Sequence, residues 1–217
     1  SIYTFVKVLE LFAGSCTFSS EAKKFGYETF TSDHKNFYGV DYVTDILEFD
    51  VSKVPFQPDL IWASPPCTSY SIAAISHHRP HNKPLSEFAI KSDLIVNKTI
   101  KIINTLKPKY WYIENPRGML RKQTFMRGLP MITIWYCQYG DNRAKPTDIW
   151  SNNIKSLLNP NGWEPRKECF NGNKNCHHQP APRGSQTGTQ GLKGNFERSK
   201  LPIQLCKEIL LQSEIKI

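Results

Sequence analysis

The sequence predicts an α/β protein built on a doubly wound, mostly parallel sheet. Along residues 3–150, short apolar runs alternate with stretches of helical spacing, the pattern of successive βα units. Several runs halt at Gly, Asp or Pro, where such units turn. "PDLIWAS" at 58–64 is apolar without alternation, as a strand buried on both faces must be.

Taken in order, "YTFVKVLELFAG" is a strand that closes in Ala-Gly. "SCTFSSEAKKFG" follows as a helix, with Ser or Thr at its start and Gly26 just past its end. "YETFTSD" alternates as a strand, and "YVTDILEF" reads as another short one. Residues 86–106 carry apolar side chains at helical spacing behind Ser86 and Glu87. "KYWYIENP" and "MITIWYCQYG" are further strands, the first stopped by Pro116. Residues 1–150 thus form the main unit. Beyond Trp150 the chain turns rich in Asn, Gly, Pro, Lys and Arg, so 151–200 reads as a small loop-built subdomain. "LPIQLCKEILLQ" within 201–217 is an amphipathic helix that returns to the main unit.

The chain has 217 residues, of which 39% are hydrophobic, enough for one core, and no run approaches the ~18 apolar residues of a membrane span. The apolar N-terminal stretch lacks a basic flank and a small-residue cleavage site, so it does not read as a signal peptide. A formal charge of +9 favours a polyanionic partner and salt-sensitive binding. Six dispersed cysteines do not make a disulfide framework, which suits reduced thiols and a cytoplasmic location.

Chemistry is expected at the strand ends, where doubly wound folds mount ligands and reactive groups. The first βα turn, "ELFAGSCTFS", offers small residues around Gly14 for close approach of a nucleoside-like cofactor. Asp33, at the end of the next strand, is placed for a ribose diol, and Asp45 follows the third strand. In "SPPCTSYS", Pro65 and Pro66 stiffen the backbone that carries Cys67, so a thiolate there is aimed at little entropic cost. "ENP" delivers Glu114 to a strand end in the same manner. The pair can act as nucleophile and proton partner. Cys169, Cys176 and His177 are candidate zinc ligands, but their C-x6-C-H-H spacing is wider than usual, and ordinary loop residues rather than a metal site are expected.

In this order the residues resemble the C5-cytosine DNA methyltransferases, from about Val8 to Trp150 and more faintly to the C-terminal helix. "LELFAGSCTFSSEAKKFGY" resembles their first motif, although Cys16 and Thr17 replace the usual Gly-Gly. "SD" at 32–33, "TDI" at 44–46, "SPPCTSYS", "IENPRG" and "QYGDNRAKPTDIW" are similar to later motifs, with Arg143 and Lys145 standing for the usual Arg-x-Arg. "APRGSQTGTQG" stands where the ninth motif belongs, as in compact, phage-encoded members, and "RSKLPIQLCKEI" resembles the tenth.

The resemblance implies a Rossmann-like methyltransferase fold that binds S-adenosylmethionine through Phe12, Gly14, Asp33, Asp45 and Pro65. It implies Cys67, Glu114 and Arg143 as catalytic residues acting on a flipped cytosine in double-stranded DNA. Arg79, Lys83, Arg117, Lys145 and Arg183 are the expected DNA contacts, with 151–200 reading the target, in a monomer of a prokaryotic or phage-infected cell. Free deoxycytidylate or RNA is an alternative substrate, although the charge favours a polymer. A catalytically silent DNA-binding protein is the third reading, and Cys67 with Glu114 argues against it.

Overall fold

The computed structural model describes residues 3–180 and 194–216. Strand β1 (Tyr3–Thr4) leads into β2 (Lys7–Leu11), helix α1 (Thr17–Lys24), β3 (Glu28–Asp33) and β4 (Tyr42–Val43). Next come β5 (Leu60–Ala63), the short helix α2 (Ile75–His78), the long α3 (Glu87–Leu106) and β6 (Tyr110–Pro116). The chain continues through β7 (Met131–Trp135), β8 (Pro146–Ser151), α4 (Asn195–Ser199), α5 (Ile203–Gln212) and β9 (Ile215–Lys216).

Seven strands form one sheet in the order β4-β3-β2-β5-β6-β8-β7, and β1 pairs antiparallel with β9 apart from it. The pairs from β4 through β6 are parallel, while β8 runs antiparallel to both β6 and β7. The order reverses direction at β2, and the crevice outside the carboxyl ends of β2 and β5 is where a doubly wound sheet binds its ligand. The predicted fold class is therefore the observed one.

All four residues of β5 are buried, as the unbroken apolar run requires for a strand between β2 and β6. One face of the sheet packs Phe18, Trp62, Tyr112, Trp163, Leu205 and Ile209 beneath α1 and α5, with Phe18 stacked on Trp62 at 4.7 Å. The other packs Leu11, Ile61, Val96, Ile103 and Ile113 beneath α3. Ser86 caps α3 as its sequence predicts, its hydroxyl accepting the Ala89 N–H at 3.0 Å.

Helix α1 starts at Thr17, with Gly26 just past its end, as expected, although Cys16 before it sits in the left-handed region (φ 56°) and supplies no side-chain cap. Three local expectations need correction. "YVTDILEF" forms only the two-residue β4, because the Asp45 carboxylate accepts the Leu47 N–H at 2.9 Å and starts a 3-10 turn. "MITIWYCQYG" is strand only to Trp135, then a 3-10 turn over Tyr136–Tyr139 that ends at Gly140 in the left-handed region. Strand β8, within the segment read purely as a binding motif, is a central member of the sheet.

After β8 the segment 152–180 is irregular, with isolated bridges at Ile154–Trp163 and Arg143–Gln179. Trp163 nevertheless enters the main core, and its indole N–H donates to Glu208 of α5 at 2.9 Å. Among the described residues, no helix is long and apolar enough to cross a membrane.

Candidate active site

The end of β5 and the end of β6 lie side by side in parallel register, Ala63 opposite Ile113. The chain leaves β5 through Ser64, Pro65 and Pro66 and presents Cys67 at the surface. One strand over, Glu114 is buried within β6. Between them Asn115, fully buried, donates its side-chain N–H to the Pro65 carbonyl at 2.9 Å. The prolines supply no N–H, so this amide fastens the loop to the neighbouring strand. On the far side, a Cβ at Gly118 would run into the carbonyl of Tyr70, in the turn directly after Cys67. The Cys67 loop is therefore held from two sides by the "ENPRG" segment.

The electrostatics of the pair follow from this enclosure. Burial pushes the Glu114 carboxyl up, and the opposing pull of Lys145, then of hydrogen bonds from Ser64 and Tyr136, does not cancel it. The Tyr136 hydroxyl donates to Glu114 Oε1 at 3.1 Å. The protein packed around Cys67 likewise raises its thiol, with Lys145 opposing and Glu114 adding to the rise. Desolvation lowers Lys145, whose ammonium lies 4.8 Å from the Tyr136 ring centre and feels both Glu114 and Cys67.

Arg143 was the cation expected to hold the ligand, and the structure commits it elsewhere. Its guanidinium grips Asp141 through two bonds (2.9 and 2.6 Å) and donates to the carbonyls of Arg198 (2.8 Å) and Lys200 (3.2 Å). Four of the five donors of an arginine are thereby used within the chain. Lys145, two residues on, is the cation whose field reaches both members of the pair.

Beside the pair, at the ends of β2 and β5, a crevice is lined by Glu10, Phe12, Ala13, Gly14, Ser15, Thr17, Trp62, Ser64, Ser199 and Leu201. Phe12 and Gly14 both have left-handed backbone, and a Cβ at Gly14 would meet open space, so the turn is shaped around the crevice. Asp33 lies behind it. Its Oδ2 accepts the Gly14 N–H and its Oδ1 the Lys35 N–H, each at 2.9 Å; the His34 ring nitrogen lies 3.1 Å from Oδ1, so a lone pair is left on Oδ2. Pro65 is buried, and Asp45 is an exposed cap; neither lines the crevice. Sequence reasoning missed Glu10, which accepts the Ser19 N–H at 3.1 Å and is pushed by burial up to about 7. It also missed Tyr136 and the wall given by Ser199 and Leu201. A carboxylate inside an otherwise apolar strand was the available signal for Glu10.

Of the expected nucleic-acid contacts, Lys83 and Arg117 are exposed and Lys145 half-buried, while Arg183 lies outside the described residues, as does "APRGSQTGTQG". Arg79 is a correction. It is fully buried, lies 4.0 Å from the Tyr70 ring centre, and bonds to Ser69, the Ala89 carbonyl and Asp93. Asp93 also accepts the Tyr70 hydroxyl at 2.6 Å. Arg79 thus pins the segment after Cys67 to α3 and offers no free donor face to a phosphate. Arg79→Ala is expected to cost about 3–5 kcal/mol of stability in urea denaturation, because Asp93 keeps its charge and loses its partner. A cost within experimental error would exclude this anchoring role.

His177 is a second correction: its ring Nε2 lies 2.9 Å from the Asp141 carbonyl, whereas His178 faces Cys169 and Cys176, together with Cys137.

The C-5 cytosine-specific DNA methylase family matches residues 5–129, which hold the crevice turn, Cys67 and Glu114. A protein of Frog virus 3 (isolate Goorha), described as "Probable DNA (cytosine-5)-methyltransferase", is 27% identical over 222 residues, covering 94% of this chain and 99% of its own. Two solved structures share the fold. One, a prophage-encoded DNA modification methyltransferase of E. coli, has TM-score 0.50, 14% identity and covers 67% of this chain. The other, Entamoeba histolytica methyltransferase EhMeth, has TM-score 0.50, 18% identity and covers 76% of it. The chain spans about half the length of these two, 46% and 58%. With the match extending over more than half of its residues and through both strand-end groups, the chain belongs to the C-5 cytosine-specific DNA methylase family.

Proposed function

We propose that the protein methylates carbon 5 of cytosine in double-stranded DNA, using S-adenosylmethionine. The observation that carries this reading is the juxtaposition of Cys67, on a doubly fastened proline turn, with Glu114, whose carboxyl burial pushes up. A Cys-Glu pair beside a nucleotide-type crevice suits addition to a pyrimidine ring. It suits neither a silent DNA-binding protein nor simple alkyl transfer to a nitrogen.

The crevice residues fit the cofactor by their chemistry. Phe12 offers an aromatic face, and Asp33, behind the lining, keeps a lone pair on Oδ2 for a diol. Glu10 is a buried acid with no cationic partner among the described residues, which suits a positively charged ligand. S-adenosylmethionine bound there supplies an electrophilic methyl group.

The chain's own residues do the rest. The Cys67 sulfur adds to carbon 6 of the ring, and negative charge develops toward N3. Glu114, whose carboxyl burial pushes up, donates or shares a proton there, so that carbon 5 becomes the electron-rich end of an enamine. Lys145, whose ammonium also donates to the Arg198 carbonyl at 2.7 Å, opposes the cost of the Cys67 thiolate. Once carbon 5 carries the methyl group, its proton passes through a base to solvent, and the released electron pair expels Cys67 as thiolate and restores the ring. In a duplex the ring face is stacked, so the base is flipped out at a cost of a few kcal/mol. Lys83 and Arg117 are placed to take phosphates, and the irregular segment 152–180 supplies the target-reading surface.

DNA containing 5-fluorocytosine tests the reading directly. Fluorine does not leave as a proton does, so a covalent protein–DNA adduct on Cys67 is expected by mass spectrometry. Absence of an adduct, or an adduct on another cysteine, overturns the mechanism. Asp33→Ala is expected to weaken S-adenosylmethionine binding by roughly 1.5–3 kcal/mol, the worth of hydrogen bonds to a charged group. Unchanged affinity in calorimetry would remove Asp33 from the cofactor site.

A further inference from the structure

A second cluster of reactive side chains lies away from the Cys67 crevice. Strand β7 runs into the turn Tyr136–Tyr139, which carries Cys137. The irregular segment after β8 comes back to this turn and brings Cys169, Cys176 and His178 against it. Three sulfurs and one ring nitrogen there lie within 4.8 Å of one another. A zinc tetrahedron with bonds of ~2.3 Å to sulfur and ~2.0 Å to nitrogen has ligand–ligand edges of roughly 3.5–3.8 Å. The Cys169 Sγ to His178 Nδ1 distance is 3.8 Å. All four groups therefore stand close to the spacing that one ion demands.

Side-chain amides face the sulfurs. Gln138 Nε2 points at two of the sulfurs, 3.6 Å from Cys137 and 3.8 Å from Cys176. Asn173 Nδ2 lies 3.4 Å from the Cys169 sulfur. Amide donors aimed at sulfur are the outer partners that metal-bound thiolates take. Trp135 and Ala144 close the site with apolar surface. The wide spacing between Cys169 and Cys176 is taken up by two successive turns, Asn173 N–H to the Phe170 carbonyl at 3.3 Å and Cys176 N–H to the Asn173 carbonyl at 3.2 Å. Gly172, with φ +79°, makes that reversal possible.

We propose that Cys137, Cys169, Cys176 and His178 form a structural zinc site that clamps the irregular segment to the end of β7. Four protein ligands leave no open position, which suits a structural ion, and a thiolate-rich tetrahedral set selects zinc among common divalent ions. The clamp has a job in this fold. Residues 152–180 contain no helix or regular strand to order them. His177, between two of the ligands, and Gln179, just past the last, bond to the carbonyls of Asp141 and Asn142 at 2.9 Å each, beside the arginine that grips Asp141. The ion thereby braces the turn that leads to Lys145.

The test uses the intact chain, purified under reducing conditions without a metal-binding tag or chelator. Elemental analysis is expected to find close to one zinc per chain. Exchange for cobalt(II) is expected to give tetrahedral ligand-field bands and sulfur-to-cobalt charge-transfer absorption. His177→Ala is expected to keep the metal and His178→Ala to lose most of it. Folded, reduced wild-type protein that holds no zinc and develops no cobalt bands would overturn the site, as would a disulfide between any two of the three cysteines in that protein. Equal metal loss from both histidine variants would overturn the ligand set. The wild-type measurements stand even if a variant fails to fold.

Discussion

Cys67→Ala is expected to bring methylation down to the detection limit while leaving DNA and cofactor affinity largely intact. Cys67 is exposed, and the atoms that fix its loop are the Asn115 amide, the Pro65 carbonyl and the Tyr70 backbone, none of which the substitution touches. Its effect on stability should therefore lie within about 0.5 kcal/mol, as for other exposed positions. The reaction itself has no second route. Unless a nucleophile adds to carbon 6, carbon 5 of cytosine is too poor a nucleophile to take the methyl group. Methylation assays on cytosine-rich duplex DNA, paired with binding measurements, check both halves. Residual turnover near the wild-type rate would mean that another group attacks the ring. A large loss of DNA affinity would mean that Cys67 serves recognition rather than chemistry.

Glu114→Gln should show opposite signs in activity and stability. Turnover should fall by about 10²–10⁴, the usual contribution of a positioned acid, because the amide has no proton to transfer toward N3. The amide oxygen still accepts the Tyr136 hydroxyl, so the packing of β6 survives. Burial holds the folded carboxyl above its ordinary value of 4.5, so the folded chain retains a proton that the unfolded chain has released. The stability cost of Glu114 is absent below the ordinary value and grows as pH rises toward the folded one. Above that range Glu114→Gln should be at least as stable as the wild type in urea denaturation. The active form is the protonated one, so wild-type turnover should fall as pH rises through the folded value, and the variant should lose that limb. A variant that is destabilised yet retains wild-type turnover would show that Glu114 is a structural partner only.

Much of this arrangement is legible in the sequence because it rests on local chemistry. Pro65 and Pro66 must end a strand, Ser86 must cap a helix, and an unbroken apolar run such as Leu60–Ala63 must lie between two others. Cys67 and Glu114 follow from those same strand ends. What sequence misses depends on partners far along the chain. Arg79 looks like a loop cation until Asp93 and Tyr70 close around it. Arg143 looks available until Asp141 and two carbonyls near residue 200 take its donors. Cys137 looks like one more strand residue until Cys169 and Cys176 arrive from more than thirty positions away. Glu10 was passed over because its neighbours on β2 are apolar, yet that setting is what raises its carboxyl to about 7.

Strand β8 sets a limit on how homologous chains can vary in length. It lies between β6 and β7, with Glu114 opposite Ile149 and Pro116 opposite Thr147. Its side chains serve opposite faces in turn. Asp148 is held by Arg121 and Thr133, while Ile149 enters the core under α1 and α5. Inserting or deleting a single residue in β8 would exchange these faces, driving the Asp148 carboxylate into hydrocarbon and moving Lys145 relative to Glu114. Insertions between Leu157 and Pro160, where Leu157 and Leu158 are fully exposed in a surface turn, disturb neither the ladder nor the pair. Divergence in length among such proteins is therefore channelled into the irregular segment, which can lengthen while the geometry at the strand ends stays fixed.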